Sequence, residues 1–144
     1  IALGGASSCA LSLEGEVWCW GYAAYGALGD GTTGGDDRWW RVNPVQVCEP
    51  GLPGFCDAAN NCQGPLREAI SITGGERHFC AQLADGRVVC WGQTIDGQMG
   101  NGEDSRVPRC IPDFVCPAGN DNCLGQQPYR EAAVQRCEVL EVGP

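Results

Sequence analysis

Eleven cysteines among 144 residues are the side chains with the most evident chemistry in this chain. Cysteine at this density is typical of a disulfide scaffold. Zinc sites usually contain cysteine pairs spaced C-x2-C to C-x4-C, and no two cysteines here lie that close. Because disulfides persist in oxidising compartments, we expect a secreted, extracellular or cell-surface protein rather than a cytosolic zinc protein.

Catalytic and metal-binding side chains are few. His78 is the only histidine and is therefore the candidate general base, but no serine or cysteine has an evident activating partner. The paired carboxylates Asp36-Asp37 and Glu103-Asp104 are weak calcium candidates, since calcium takes oxygen ligands from acidic loops. They do not fit the EF-hand order, and solvated turns explain them better. The sequence therefore predicts a non-enzymatic protein without a resident metal or cofactor.

The charge distribution excludes several partners. Eighteen acidic residues face nine arginines and no lysine, for a net charge of −9. Nucleic-acid binding needs clustered positive charge, whereas these arginines are scattered singly from Arg38 to Arg136. No apolar run approaches the roughly 20 residues that span a bilayer. We therefore expect neither a nucleic-acid partner nor membrane insertion.

A repeated element must position these residues. The segment Cys9–Gly21 recurs 71 positions later as Cys80–Gly92, and the match continues from Tyr25–Gly31 to Asp96–Gly102. Within each copy, apolar and polar residues alternate on either side of a glycine turn. This period of two predicts a β-hairpin in each copy.

The turn fixes the register of each hairpin. A three-residue loop, Leu13–Gly15, with its glycine in the left-handed conformation, pairs Ser12 with Glu16. Counting outward places Cys9 opposite Cys19 in a non-hydrogen-bonded pair, with Cα atoms about 4.5 Å apart. The second copy has the same spacing. The sequence therefore predicts two hairpin disulfides, Cys9–Cys19 and Cys80–Cys90.

Further residues around the hairpins carry a family resemblance. The first copy has Gly4-Gly5, then Val17–Gly21, then Tyr25–Thr32, while the second keeps His78 and Cys90-Trp91-Gly92. This combination resembles the regulator of chromosome condensation repeat, in the cysteine-bearing variant of secreted bacterial proteins. The resemblance implies four antiparallel strands per propeller blade, seven blades in a ring, and a structural role for the histidine.

The predicted fold is all-β, with two propeller-blade-like antiparallel repeats and disulfide-rich loop inserts. Repeat 1 comprises residues 1–71, with a hairpin core at 1–47 and an insert at 48–66. Repeat 2 comprises residues 72–144, with a hairpin core at 72–109, an insert at 110–129 and a C-terminal strand at 130–144.

Each insert carries three cysteines and many turn residues. In chain order the matched sets are Cys48, Cys56, Cys62 and Cys110, Cys116, Cys123. The shortest bridges would be Cys56–Cys62 and Cys116–Cys123, but the sequence leaves the connectivity open.

An odd number of thiols cannot pair completely within one chain, so at least one is free or bonded elsewhere. The candidates are Cys137, Cys48 and Cys110. A Cys110–Cys137 bridge would leave Cys48 to pair with Cys137 of an adjacent unit, which would make a covalent head-to-tail polymer. A partner cysteine in a further part of a longer chain is the alternative.

The tryptophans suggest packing and binding surfaces. Trp20 and Trp91 occupy matched positions before glycine, which predicts a role in blade packing. Trp39-Trp40 occurs in the first copy only. An exposed pair of this kind suits a protein interface or a sugar platform, although it could equally cover the edge of a blade.

Function follows from these features as a hypothesis. We favour an extracellular repeat module for protein interaction or structural assembly, including a self-assembling fibre subunit, whose partners are copies of itself or further blades. The alternative is a propeller segment that binds a glycan or calcium. The exchange-factor or chromatin role of the family's nuclear members is disfavoured by the disulfides and the net charge, and fold alone does not assign function.

Overall fold

The computed structural model describes residues 1–33, 39–50, 62–96, 98 and 108–115. In this part of the chain, eight strands form two four-stranded antiparallel sheets, ordered β1-β2-β3-β4 and β5-β6-β7-β8. The first sheet contains β1 (Ala2–Leu3), β2 (Ser7–Leu11), β3 (Val17–Tyr22) and β4 (Trp40–Gln46), with a 3-10 turn at Ala24–Gly26. The second contains β5 (Ala69–Gly74), β6 (His78–Leu83), β7 (Val88–Gly92) and β8 (Arg109–Phe114). The predicted all-β fold of two blade-like repeats is confirmed.

The first hairpin joins β2 to β3 with the predicted geometry. Gly15 has φ +81°, which an L side chain rarely adopts. The backbone N–H of Ser12 donates to the carbonyl of Glu16 at 2.9 Å. Cys9 therefore lies opposite Cys19 with a Cα separation of 4.1 Å, and the two are disulfide-bonded.

The second hairpin joins β6 to β7 in the same way. Gly86 has φ +89°, and the N–H of Leu83 donates to the carbonyl of Arg87 at 2.8 Å. Cys80 and Cys90 form a disulfide, again with a Cα separation of 4.1 Å. The structure thus contains both predicted hairpin disulfides.

A second matched glycine follows each disulfide. Gly21 and Gly92 have φ +102° and +109°, where β3 and β7 lose regular register with the strands beside them. A Cβ atom at Gly21 would lie 2.5 Å from the carbonyl oxygen of Ala6. The approach is this close because the N–H of Tyr22 donates to that same oxygen at 2.9 Å. Only glycine fits such a bulge without displacement.

The fourth strands show that the predicted alignment of the inserts was wrong. Gly21 pairs with Arg41 and Gly92 with Arg109, so the connection is three residues shorter in the second sheet. Residues 110–114 therefore belong to β8 and not to a loop insert. Both copies share the sequence frame Arg-x-x-Pro-x-x-Val-Cys, which begins at Arg41 and at Arg109. In this frame the counterpart of Cys48 is Cys116 and not Cys110.

The cysteine pairing in the first insert also differs from the prediction. Cys62 bonds Cys48, with Cα atoms 5.4 Å apart, instead of the nearer Cys56. Strand β4 runs directly into this pair, because the N–H of Cys48 donates to the carbonyl of Gly29 at 2.8 Å and holds Cys48 against the blade. Cys110 is disulfide-bonded as well, and its partner lies outside the described residues. Neither Cys48 nor Cys110 is the free thiol among the candidates, and Cys48 is already bonded to Cys62 instead of being open to the predicted link with an adjacent unit.

The hydrophobic core lies between the two sheets. Its buried members come from both, and they are Ala2, Cys9, Val17, Cys19, Ala23, Leu28, Val47, Leu66, Ala69, Phe79, Ala81, Leu83, Val89, Trp91 and Phe114. The second sheet begins at Ala69, so the proposed boundary between residues 71 and 72 lies inside β5. No helix in the described part of the chain has the length and apolar character needed to cross a membrane.

Candidate functional site

The contact between the two sheets centres on Trp91 of β7. Its side chain is fully buried, stacks on Phe79 with ring centroids 6.2 Å apart, and donates its indole N–H to the carbonyl of Ala27 at 3.1 Å. Gly29 gives the ring room, because a Cβ atom there would lie 2.9 Å from Trp91 Cδ1. One tryptophan thus joins the second sheet to the turn that follows β3 of the first.

Backbone hydrogen bonds join the same two sheets at both ends. The N–H of Gly5 donates to the carbonyl of Glu76 at 2.8 Å, and that of Gly31 to Cys110 at 2.8 Å. At the opposite end, the N–H of Ala69 donates to Gly15 at 3.0 Å. The two sheets are therefore joined by main-chain hydrogen bonds at both ends as well as by Trp91.

One side of the first sheet has no strand packed on it in the described part of the chain; we call it the leading face and define it by Leu3, Ala10, Trp18 and Trp20, of which Ala10 and Trp20 are half-buried. Side chains alternate across a sheet, so these residues point away from the core residues Ala2, Cys9, Val17 and Cys19. Leu3 is 70% exposed although it is apolar. Trp20 occupies on this face the position that Trp91 occupies on the second sheet. The leading face of the first sheet therefore corresponds to the side of the second sheet that carries Trp91 and packs against the first sheet.

On the second sheet it is the opposite side that has no strand packed on it among the described residues; we call it the trailing face and define it by the half-buried residues His78, Cys80 and Gln82. These residues alternate with Phe79, Ala81 and Leu83, which face the first sheet. Partial burial lowers the pKa of His78 below its usual value of 6.5. The ring is packed against the backbone of Gly75, where a Cβ atom would overlap it. The histidine thus serves as a packing residue of this face.

An aromatic cluster, Tyr22, Trp39 and Trp40, lies beside β3 and β4. The Tyr22 ring stacks with Trp39 at 6.1 Å and 25°, and meets Trp40 at 5.0 Å and 46°. Trp39 is 46% exposed and Trp40 61% exposed. The N–H of Ala23 donates to the carbonyl of Trp39 at 2.7 Å, which fixes the start of β4. Two large aromatic surfaces are therefore held in place yet open to solvent.

A cleft of about 240 Å³ lies between the sheets next to this cluster. Residues Gly5–Ser7 and Tyr22 line it from the first sheet, and Glu76 and Arg77 from the second. The Arg77 guanidinium stacks over the Tyr25 ring at 5.1 Å and lies 4.0 Å from the Glu76 carboxylate. Tyr25 itself has φ +59°, a conformation that costs energy in a residue other than glycine.

The predicted site residues fall into separate places. Trp39 and Trp40 join Tyr22 in the aromatic cluster, whereas His78 lies on the trailing face. The residues outside the described part of the chain are Asp36, Asp37, Cys56, Glu103, Asp104, Cys116, Cys123 and Cys137. Among the described residues, no group of three or more His, Cys, Asp or Glu side chains could hold a metal ion. Sequence reasoning missed Tyr22, Glu76 and Arg77, which carry no motif and become neighbours only when the two sheets pack.

Family comparison identifies the repeat. The model of the regulator of chromosome condensation (RCC1) repeat matches residues 1–27 and 69–98. These segments contain β1 to β3 with the 3-10 turn, and β5 to β7. Such repeats typically mediate protein interaction and are typically non-enzymatic.

Relatives share this part of the chain. The human E3 ubiquitin-protein ligase HERC2 is 31% identical over 76% of this chain, which is 2% of the ligase. The mitochondrial RCC1 domain-containing protein RUG3 of Arabidopsis thaliana is 28% identical over 87% of this chain and 26% of its own length. The chain therefore spans a small part of the relatives that it matches.

Solved structures share the fold. Yeast RCC1 (Prp20), solved with Kap60 bound, matches with a TM-score of 0.54 at 25% identity, over 81% of this chain and 24% of the yeast chain. Human WBSCR16 matches with a TM-score of 0.54 at 23% identity, over 82% and 25% of the two chains. The two segments that match the RCC1 repeat model each form most of a four-stranded sheet, and each is similar to one blade of an RCC1 propeller.

Proposed function

We propose that this chain is a non-enzymatic extracellular module whose two uncovered sheet faces pack against further blades, so that it takes part in protein interaction and assembly. The observation that carries the proposal is the matched pair Trp91 and Trp20. Trp91 is buried between the sheets and hydrogen-bonded to Ala27, while Trp20 stands at the same register position on the leading face. A blade face with an apolar surface gains stability when a neighbour covers it.

The partner that we propose is another blade of the same kind, carried by a second copy of this chain or by a longer array. The leading face offers tryptophans and Leu3, and the trailing face offers the polar residues His78 and Gln82 around a disulfide. The faces differ, so packing of one on the other is head-to-tail and continues into a ring or an open fibre. The assembly needs no intermolecular disulfide, which agrees with the bonded state of Cys48 and Cys110.

The extracellular location is supported by the cysteine chemistry. Cys9, Cys48 and Cys80 are each oxidised with a partner in the described residues, and Cys110 is bonded too. Such bonds would be reduced in the cytosol. An acidic chain without lysine also lacks the basic surface that a nucleic-acid partner requires.

Sedimentation velocity of the oxidised chain tests the proposal. We expect the weight-average mass to rise with concentration between about 1 and 200 µM, a range suited to an interface of micromolar Kd. Trp20→Ala should shift the association constant at least about tenfold toward monomer, a loss of roughly 1.4 kcal/mol. Leu13→Ala is the matched control, since Leu13 is fully exposed at a hairpin tip. A chain that stays monomeric throughout, or that associates equally well with Trp20→Ala, would contradict packing of copies through this face.

A further inference from the structure

We propose that the cleft between the sheets and the adjoining aromatic cluster form a binding site for a neutral oligosaccharide. Tyr22 is the residue that joins the two features, because it lines the cleft and contacts both Trp39 and Trp40. The site therefore combines a polar cleft, whose charged side chains reach solvent, with an open aromatic platform. It goes beyond the proposed packing function and uses neither Trp20 nor Trp18 of the leading face.

The aromatic part suits the apolar faces of sugar rings. The axial C–H groups of a pyranose form a flat apolar patch that packs on an aromatic ring, and tryptophan offers the largest such surface. Trp40 keeps 61% of its surface exposed while Tyr22 supports it from one side. Hydrophobic packing alone does not require an indole to be held at the surface in this way, whereas a sugar platform does.

The polar part supplies both kinds of hydrogen-bonding group. Glu76 offers carboxylate oxygens that accept from hydroxyls, and Arg77 offers N–H groups that donate to them. The two charges lie 4.0 Å apart and offset each other, so the pair favours a ligand without net charge. An acidic glycan is further disfavoured by the net charge of −9 on the chain.

Tyr22 and Arg77 are held in place before a ligand arrives. The N–H of Tyr22 donates to Ala6 at 2.9 Å, and the Arg77 guanidinium rests over the Tyr25 ring. Tyr25 keeps a left-handed backbone conformation that costs energy, and such strained residues concentrate at functional sites. Fixed side chains lose little entropy on binding, which raises the affinity for a flexible oligosaccharide.

An extended peptide fits this region less well. Addition of a strand to the edge of β4 needs a regular row of backbone donors, but Pro44 has no N–H. The pairing of β4 with β3 is also irregular between Cys19 and Gly21, which distorts that edge. The structure therefore favours a sugar over a peptide strand beside Trp40.

Binding to four neutral tetrasaccharides, of glucose in β-1,4 or α-1,4 linkage, of β-1,4-mannose and of β-1,4-N-acetylglucosamine, tests the proposal. Titration calorimetry and tryptophan fluorescence on the oxidised full chain should detect at least one of them. Trp40→Ala and Glu76→Gln should each weaken that binding at least about tenfold. Val42→Ala is the control, since Val42 is exposed two residues along β4, and it should change the affinity less than about twofold.

Several results would overturn the proposal. They are the absence of binding to all four probes up to about 10 mM, binding that survives both Trp40→Ala and Glu76→Gln, and binding restricted to a sulfated oligosaccharide tested beside them. Because Glu76 is exposed, its substitution leaves the fold intact, and near-ultraviolet circular dichroism checks this for every variant. Sedimentation of Trp40→Ala separates this site from blade packing, which depends on Trp20 instead.

Discussion

The indole N–H of Trp91 makes one of the hydrogen bonds between the two sheets, and its contribution can be separated from that of the ring around it. Trp91→Phe keeps the stacking on Phe79 but loses the hydrogen bond to Ala27, so the buried carbonyl is left without this donor. We expect the free energy of unfolding to fall by about 1–3 kcal/mol. Urea denaturation measures it. Trp40→Phe, the same change at an exposed ring, should cost less than about 0.5 kcal/mol; equal losses at the two sites would contradict the role of Trp91.

His78 makes stability depend on pH with a definite sign. Its folded-state pKa lies below 6.5 because burial disfavours the charged imidazolium. The unfolded chain therefore binds the proton first as the pH falls, so stability is full at about pH 7.5 and declines through 6.5 toward the folded pKa. Thermal unfolding between about pH 7.5 and 5.5 measures this loss, and His78→Gln should reduce it. A wild-type stability that rises on acidification while the glutamine variant is flat would refute the assignment.

At the scale of the element, Gly21 and Gly92 allow the irregular backbone conformation that β3 and β7 adopt at their bulges. Gly21→Ala would force a Cβ atom against the Ala6 carbonyl at a left-handed φ. We expect a loss of at least about 2 kcal/mol, composed of the backbone cost and the steric overlap. Gly64→Ala is the matched control, since its Cβ atom would make only an ordinary contact 3.6 Å from Glu49. Similar denaturation midpoints for the two variants would contradict this account.

The hairpins were predictable from the sequence and the inserts were not, for a physical reason. A three-residue turn with Gly15 fixes every pair beyond it by counting, so both cysteine pairs of the hairpins followed without further information. The fourth strand is reached through a connection whose length differs by three residues between the copies. Matching cysteines by their order then aligned Cys48 with Cys110, whereas the strand frame follows Pro44 and Pro112.

The candidate site also contains residues that the sequence predicted and residues that it did not. Trp39 and Trp40 were visible as a dipeptide that the second copy lacks, and the structure leaves both exposed. Glu76 and Arg77 could not be found, because they lie before β6 and meet Tyr22 only after the two sheets pack. A cleft formed between repeats leaves no pattern within either repeat.

For the whole molecule, the leading and trailing faces differ, so the proposed stack of blades would have a direction. Trp20→Ala disables the leading face and keeps the trailing one, and Gln82→Arg does the reverse. If blades pack head-to-tail, each variant alone should be monomeric while their equimolar mixture sediments as a one-to-one complex and grows no further. Wild-type-like growth of either variant alone, or a mixture that stays monomeric, would contradict a directional interface.

The disulfides that close each hairpin also determine how the module would respond to tension. Force applied along the chain passes from Cys9 directly to Cys19, and from Cys80 to Cys90, across pairs that are 10 residues apart in sequence and 4.1 Å apart in space. Each hairpin tip is therefore shielded from load, and about 30 Å of chain per blade cannot be drawn out unless the bond is reduced. A row of such blades would therefore extend less under load while these two bonds are intact, and each blade would lengthen once its bond is reduced.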